Sequence, residues 1–371
     1  MILRSLAATD FKNIAGASLE FSDGINCFLG DNGMGKSNLL DALYMLSYCR
    51  SFTGVADPAL IRRGQEFAML NARYRRRGVD EELNVAIRPG RRKSFRRQGK
   101  EYKRLADHLG AFPLVLLSPA DMTLCCGEPA ERRRFIDQIA SQSDPRYLEA
   151  MIRYTQATDG RNRLLRAESC DNSLYEAFEM QMDAAATYLC RVRAKTSAGL
   201  AGLFRPLYHA IAPGESPELA YEPAMGANAG TPGALAEELA AKRRRDIAIG
   251  HTANGPHRDD FAMTIDSAPV RRIASQGQTK TFTTALRLAQ YGLLRQQLGI
   301  NPLLLLDDIF DKLDAARVAN IIACVADNGA FGQIFITDTN RRHLDEIVAE
   351  IGNSGADSRL WSVSNGNFTL L

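Results

Sequence analysis

No apolar run in the 371-residue chain approaches the roughly 20 residues needed to span a bilayer as a helix, which argues against an integral membrane protein. The opening residues Met1-Ile2-Leu3-Arg4-Ser5 lack the long apolar region of a secretory signal, so a soluble, cytoplasmic protein is expected. There is no CxxC pair and no Cys/His spacing suited to zinc. Seven cysteines, an odd number, argue against a disulfide framework and fit a reducing compartment. Charge of one sign is also scarce: the formal net charge is only +3, too little for a uniformly basic coat, so any nucleic-acid contact has to come from local clusters. No internal repeat and no long heptad run occur, and a long coiled-coil arm is therefore not expected.

What is present is a chain with 45% hydrophobic residues, enough for a sizeable core, and a length that suits roughly two to three domains. Alternating strands are read at 3–8 and 17–21, and a buried strand at 24–29 runs into a glycine-rich turn. Leu39, Leu40, Leu43 and Leu46 then recur at near-helical spacing. Strand-like stretches from 67 to 103 alternate with turns at Gly78, Pro89-Gly90 and Gln98-Gly99, which predicts hairpins. From about 128 to 245 long helical segments rich in Ala, Leu, Arg and Glu take over, broken by the Pro/Gly-rich stretch 212–233. After Gly250 strand-helix alternation returns, with the apolar runs 303–306 and 333–336 as candidate buried parallel strands. The expected architecture is α/β, with residues 1–125 and 246–371 in one lobe and residues 126–245 in a helical second lobe.

Gly30-Asp31-Asn32-Gly33-Met34-Gly35-Lys36-Ser37 matches G-x-x-x-x-G-K-[ST] at every fixed position, between a predicted strand and a predicted helix. In such a loop the glycines let backbone N–H groups turn around phosphates, and the helix N-terminus adds partial positive charge. The lysine, here Lys36, reaches the terminal phosphates, while the hydroxyl of Ser37 ligates Mg²⁺. A second part stands at the end of the strand 303–306, where Asp307 is expected to hold Mg²⁺ and Asp308 to orient or deprotonate an attacking water. Taken alone, a strand that ends in Asp-Asp is equally a solvated strand end; next to the phosphate loop it implies hydrolysis.

Asn32 within the loop and Asn38-Leu39-Leu40-Asp41-Ala42 after it resemble the extended phosphate loop of the RecF family and its SMC-like relatives, and Ser275-Gln276-Gly277-Gln278 resembles the ABC signature. Four more segments are similar to that family, at 116–122, 127–137, 60–64 and 255–261, so the resemblance spans nearly the whole chain. It implies an ABC-type P-loop ATPase head with a helical second lobe. Lys12, Asn13 and Asn38 would join the ATP site, and Ser275, Gly277 and Gln278 would meet the γ-phosphate held by a second copy, so that ATP closes a homodimer. Ser275 as a plain helix cap is compatible with that role. The resemblance further implies double-stranded DNA and gapped duplex junctions as ligands and RecR and RecO as partners. The implied task is loading recombinase onto single-stranded DNA during repair, recombination, replication and the SOS response. The chain departs from the family pattern at Lys12, where Arg is commoner, at Thr279, and in Phe310-Asp311-Lys312-Leu313-Asp314, where the D-loop usually reads S-E-L-D. Thr337 stands where many ABC ATPases carry a histidine and is a candidate γ-phosphate sensor. Asp308 replaces a common Glu, and this shorter carboxylate suggests slow turnover; the resemblance implies a weak, DNA-stimulated ATPase.

The run 91–104 carries Arg91, Arg92, Lys93, Arg96, Arg97, Lys100, Lys103 and Arg104 against the single acid Glu101. With Arg73 and Arg75 on a neighbouring strand it could line a groove for DNA phosphates, or it is a solvated face. The ATPase subunit of a membrane transporter shares both phosphate motifs, but the helical insertion and the basic run speak against it. A nuclease of the overcoming-lysogenization type would need an acidic domain after Asp308, for which the remaining residues are expected to be too few.

Overall fold

The computed structural model describes residues 1–310, 315–326, 331–352 and 357–371; the D-loop segment Asp311-Lys312-Leu313-Asp314 lies outside them. The chain forms two compact units, one of residues 1–121, 207–213 and 275–371, the other of residues 122–206 and 214–274. The second unit thus takes in residues 246–274, which sequence reading had put with the first lobe. The physical reason is a sheet that needs strands from both sides of residue 246.

The first unit opens with β1 (Ile2–Phe11), β2 (Ile14–Glu20) and β3 (Ile25–Leu29), followed by α1 (Lys36–Tyr48), β4 (Ala68–Arg76), β5 (Val79–Ile87), β6 (Ser94–Arg97), β7 (Lys100–Glu101) and β8 (Leu114–Leu117). The chain then leaves for the second unit, built from α2 (Met122–Cys126), α3 (Pro129–Ser143), α4 (Pro145–Arg166), α5 (Asn172–Ile211) up to Pro206, β9 (Pro217–Glu222), α6 (Ala234–Ile249), β10 (Asp260–Ile265), β11 (Ala268–Pro269) and α7 (Val270–Ile273). It returns as α8 (Gln276–Leu298), β12 (Leu303–Asp307), α9 (Ala315–Ala326), β13 (Ile334–Asp338), α10 (Arg341–Gly352), β14 (Ser358–Ser364) and β15 (Asn367–Leu370).

Two sheets organise the first unit. One is antiparallel, in the order β2-β1-β4-β5-β6-β7. The other runs β15-β14-β3-β13-β12-β8 and is parallel except for β15. The composition of the strands explains the difference. β4 and β5 alternate buried and open positions, as a sheet with one solvated face requires, whereas β8, β12 and β13 are buried at every position. Leu39, Leu40, Leu43 and Leu46 of α1 are fully buried in the same core as Leu3, Leu6, Leu70, Leu83 and Leu305. Gln333 joins the two sheets: its amide accepts from the Leu3 N–H at 2.7 Å and donates to the carbonyls of Leu3 and Ser22.

In the second unit, Pro129 and Pro145 start α3 and α4 at positions where no N–H is needed, and Asp144 caps α4 by accepting from Arg146 N–H. The stretch 212–233, read as a break between helices, contains β9, which pairs antiparallel with β10 and stacks Tyr221 on Phe261 at 5.1 Å. Asp259, wholly buried, gathers Arg193, the Tyr221 hydroxyl and the Ala224 N–H. Arg132 grips Asp260 with two bonds of 2.7 and 3.0 Å. The family-like segments around 132 and 255–261 therefore serve the interior of this unit.

Candidate functional site

β3 ends at Leu29, and the chain turns through Gly30 to Gly35 before α1 begins. Gly33 and Gly35 have φ of 80° and 112°, left-handed values that side chains resist. Gly30 is required for another reason: a Cβ there would stand 2.3 Å from the Val363 carbonyl oxygen of β14. Asp31, Asn32 and Gly33 are exposed at the rim. Lys36 is only 5% exposed and donates to the carbonyls of Gly30 at 2.5 Å and Asp31 at 3.0 Å. Its pKa is lowered, chiefly by burial, against which Asp308, Asp307 and Asp338 pull in the opposite direction. The ammonium thus lies folded onto the loop in which phosphate oxygens would replace the two carbonyls.

Parallel pairing brings the acidic edge to the same end of the sheet. Asp307 of β12 lies opposite Thr337 of β13, and Thr337 and Asp338 lie opposite Phe28 and Leu29 of β3. The Ser37 hydroxyl donates to Asp307 at 2.9 Å, and the Thr337 hydroxyl donates to the same carboxylate oxygen at 2.7 Å. Burial pushes the Asp307 carboxyl above its ordinary value, and these two hydroxyls partly counter it. Asp308 has a left-handed φ of 48°, and its N–H is shared by the carbonyl and hydroxyl oxygens of Thr337, each at 3.2 Å. Thr337 is fully buried with its hydroxyl engaged by both aspartates, a geometry better suited to positioning Asp307 and Asp308 than to touching a γ-phosphate.

Sequence reading passed over Asp338. It is buried beside Lys36, accepts from Asn340 N–H and pairs with His343 of α10 at 2.9 Å. An apolar strand that ends in Thr-Asp carries the same signal as one that ends in Asp-Asp. His343 supplies a histidine near the position where the strand itself has Thr.

Asn13 and Asn38 meet through their side-chain amides at 2.8 Å, next to Gly35. Lys12 pairs with the buried Asp41 at 2.5 Å and lies 6.0 Å over the Phe52 ring. In this conformation Lys12 faces α1 and the loop after it. Ser275 caps α8 in a reciprocal box: its hydroxyl accepts from Gln278 N–H at 3.2 Å while the Gln278 side chain accepts from Ser275 N–H at 2.9 Å. The Ser275 side chain is exposed at a helix start, and Gly277 stands against Arg317 of α9, whose guanidinium is 2.5 Å from where a Cβ would be.

The basic run forms β6, β7 and their flanks, as hairpins. Several of its cations are already paired: Arg97 with Glu81, Lys93 with Asp57, Arg73 with Glu82, and Arg75 with Asp80. Others line a groove of about 540 Å³ on the open face of the antiparallel sheet, formed by Arg91, Arg92 and Arg96 with Arg88, Asn71 and Asn84. Lys100 is exposed on β7, next to that groove's Gly99 and Glu101. Arg88 and the hydrogen-bonded amides of Asn71 and Asn84, 2.9 Å apart, were not singled out from sequence, since only strand register aligns Asn71, Asn84 and Arg96 across three strands.

Among the described residues no helix is long and apolar enough to cross a membrane. The RecF/RecN/SMC N-terminal domain family matches residues 2–355. The chain is 44% identical over 368 residues to the DNA replication and repair protein RecF of Porphyromonas gingivalis, covering 99% of both chains. It is 43% identical to that of Parabacteroides distasonis, covering 99% of this chain and 98% of that one. A solved structure of the recombination mediator protein RecF-ATP in the RecFOR pathway superposes with a TM-score of 0.89 at 26% identity, over 100% of this chain and 97% of the other. An Smc head bound to the C-winged helix domain of ScpA shares the fold, with a TM-score of 0.60 at 16% identity over 100% of this chain and 98% of that one.

Proposed function

The chain belongs to the RecF/RecN/SMC N-terminal domain family, among the RecF DNA replication and repair proteins, and from that premise we propose that it is an ATPase that dimerises on ATP and binds DNA. The chain of contacts from Ser37 through Asp307 and Thr337 to Asp308, alongside the phosphate loop, is the observation that carries the ATPase part of this reading. The loop N–H groups and Lys36 bind the phosphates. Among the described residues no group of three or more His, Cys, Asp or Glu could hold a metal alone. Ser37 and Asp307, 2.9 Å apart, suit Mg²⁺ because that ion takes one or two protein oxygens and completes its shell with phosphate and water. Bound there, Mg²⁺ would offset phosphate charge. Asp308 takes the proton of the attacking water, and its short side chain makes turnover slow.

The exposed Ser275 and the start of α8 form an anion site suited to a γ-phosphate held by a second copy. The groove around Arg88, Arg91, Arg92 and Arg96 suits duplex phosphates, with no recognition helix to read bases. By analogy with the RecF relatives, the protein acts at gapped or damaged duplex with RecR and RecO, helps load recombinase onto single-stranded DNA, and serves replication and the SOS response. The full-length match to RecF proteins takes the place of the transporter reading.

Sedimentation velocity with and without Mg-ATP, on wild type, Lys36→Met and Ser275→Arg with a labelled duplex present, tests the proposal. Wild type alone is expected to dimerise with ATP and gain DNA affinity, while Ser275→Arg binds ATP as a monomer. If ATP changes neither mass nor DNA binding of wild type, the dimer and DNA assignments fail.

A further inference from the structure

The carbonyl of Met34, inside the phosphate loop, accepts from two donors: the Gly366 N–H at 2.7 Å and the Asn13 side-chain amide at 3.3 Å. The Asn365 N–H also points at the Met34 sulfur, 3.5 Å away. Asn365 and Gly366, with φ of 48° and 78°, turn β14 into β15, and Asn13 sits in the turn that joins β1 to β2. The two turns are in contact. A Cβ on Gly366 would lie 2.4 Å from the Asn13 carbonyl oxygen, and a Cβ on Gly35 would lie 2.8 Å from the Asn13 side chain. The β14–β15 ribbon is fixed to the core, since Trp361 stacks on Phe28 at 6.4 Å and Phe368 meets the same ring edge-on at 6.3 Å.

A trans peptide is planar and carries its C=O and N–H on opposite sides. Holding the Met34 carbonyl against the two turns therefore directs the Gly35 N–H away from them, toward the face on which a phosphate loop gathers its donors. We propose that the Asn365-Gly366 turn, together with Asn13, is a positioning element of the nucleotide site that sets the Gly35 N–H before nucleotide arrives. Gly366 acts through Met34 and touches no phosphate. A loop free to rotate that peptide would lose freedom on binding, and the turn removes that loss in advance.

The inference rests on residues 30–37 being a nucleotide site. Wild type, Gly366→Ala, Asn13→Ala and the double variant are titrated with MgATP and MgADP while the Gly35 amide is followed in ¹H–¹⁵N spectra. Each single variant is expected to weaken both nucleotides about three- to tenfold, as for loss of one hydrogen bond: Asn13→Ala deletes its donor, and Gly366→Ala displaces a backbone N–H by the clash of its Cβ with the Asn13 carbonyl. The double variant weakens them by more than the product, because the Asn13 amide is gone and the Cβ at 366, forced off the residue 13 carbonyl, carries the remaining backbone N–H away from Met34. The displacement of the Gly35 resonance by nucleotide shrinks in the same order, while the melting temperature without nucleotide does not follow that order. Wild-type affinity in both single variants overturns the inference. So does an affinity loss that tracks melting temperature while the Gly35 displacement is unchanged. If Gly366→Ala does not fold, the Gly35 resonance in Asn13→Ala decides alone. If wild type binds neither nucleotide, the nucleotide-site reading fails instead of this one.

Discussion

Burial opposes the charge of both Asp307 and Lys36, raising the pKa of the acid and lowering that of the base. For Asp307 the stability associated with its proton is fully present below the ordinary value of 3.8 and is lost as pH rises through the higher folded value. At neutral pH the ionised carboxylate therefore weakens the nucleotide-free fold. Asp307→Asn is expected to raise the melting temperature at neutral pH by about 1–3 °C while abolishing Mg-dependent hydrolysis, and the gain should vanish toward pH 3.8. Calorimetry across pH, with phosphate-release assays, checks both halves. His108 is the opposite kind of group. It is fully buried, hydrogen-bonded through Nε2 to the Leu46 carbonyl at 2.7 Å and enclosed by Phe95, Tyr102 and Phe112, and burial pushes its pKa down to about 4. Its ring resonances should stay fixed between about pH 7.5 and 5.5, where an ordinary imidazole titrates. The stability linked to it is present above the ordinary 6.5 and is lost as pH falls toward 4.

The start of α8 shows how one element can hold two roles that a simple deletion would confuse. Ser275→Ala removes a cap, which lowers stability by about 1 kcal/mol, and removes a candidate γ-phosphate donor as well. Ser275→Asp separates them: aspartate caps equally well but repels an anion. It should melt like wild type and yet remain a monomer with ATP in sedimentation, whereas a Ser275→Asp protein that dimerises normally leaves Ser275 as a cap alone. The same helix marks what sequence could reveal. A capping box, a G-x-x-x-x-G-K-S loop or an apolar run that ends in acids is written in neighbouring residues, so α8, the loop and β12 were legible. The backing of Met34 was not, because Asn365 is 331 positions away. The basic run was legible as charge but not as a surface: Arg96 and Arg97 are adjacent in sequence, yet strand alternation sends one to the groove and the other to Glu81. β9 was missed because its short alternation lies inside a Pro/Gly-rich stretch and is stabilised by β10, which comes much later in the chain.

At the scale of the molecule, cations gathered on one sheet face are a more specific feature than a net charge of +3. Arg88→Ala with Arg91→Ala and Arg96→Ala should reduce the slope of log affinity against log salt by about one per lost phosphate contact. Arg73→Ala with Arg75→Ala, whose partners are Glu82 and Asp80, should change it little. Fluorescence anisotropy on a labelled duplex over a salt series measures both. The order of strands has a consequence of another kind. β3, made among the first thirty residues, has β13 and β14 as its neighbours, and neither exists until after residue 333. At about 5–20 residues per second, a ribosome leaves β3 unpaired for on the order of 15–60 seconds. The turn that backs Met34 emerges later still, so a message cut short before codon 366 yields a chain whose Met34 carbonyl keeps the Asn13 donor and lacks the Gly366 one.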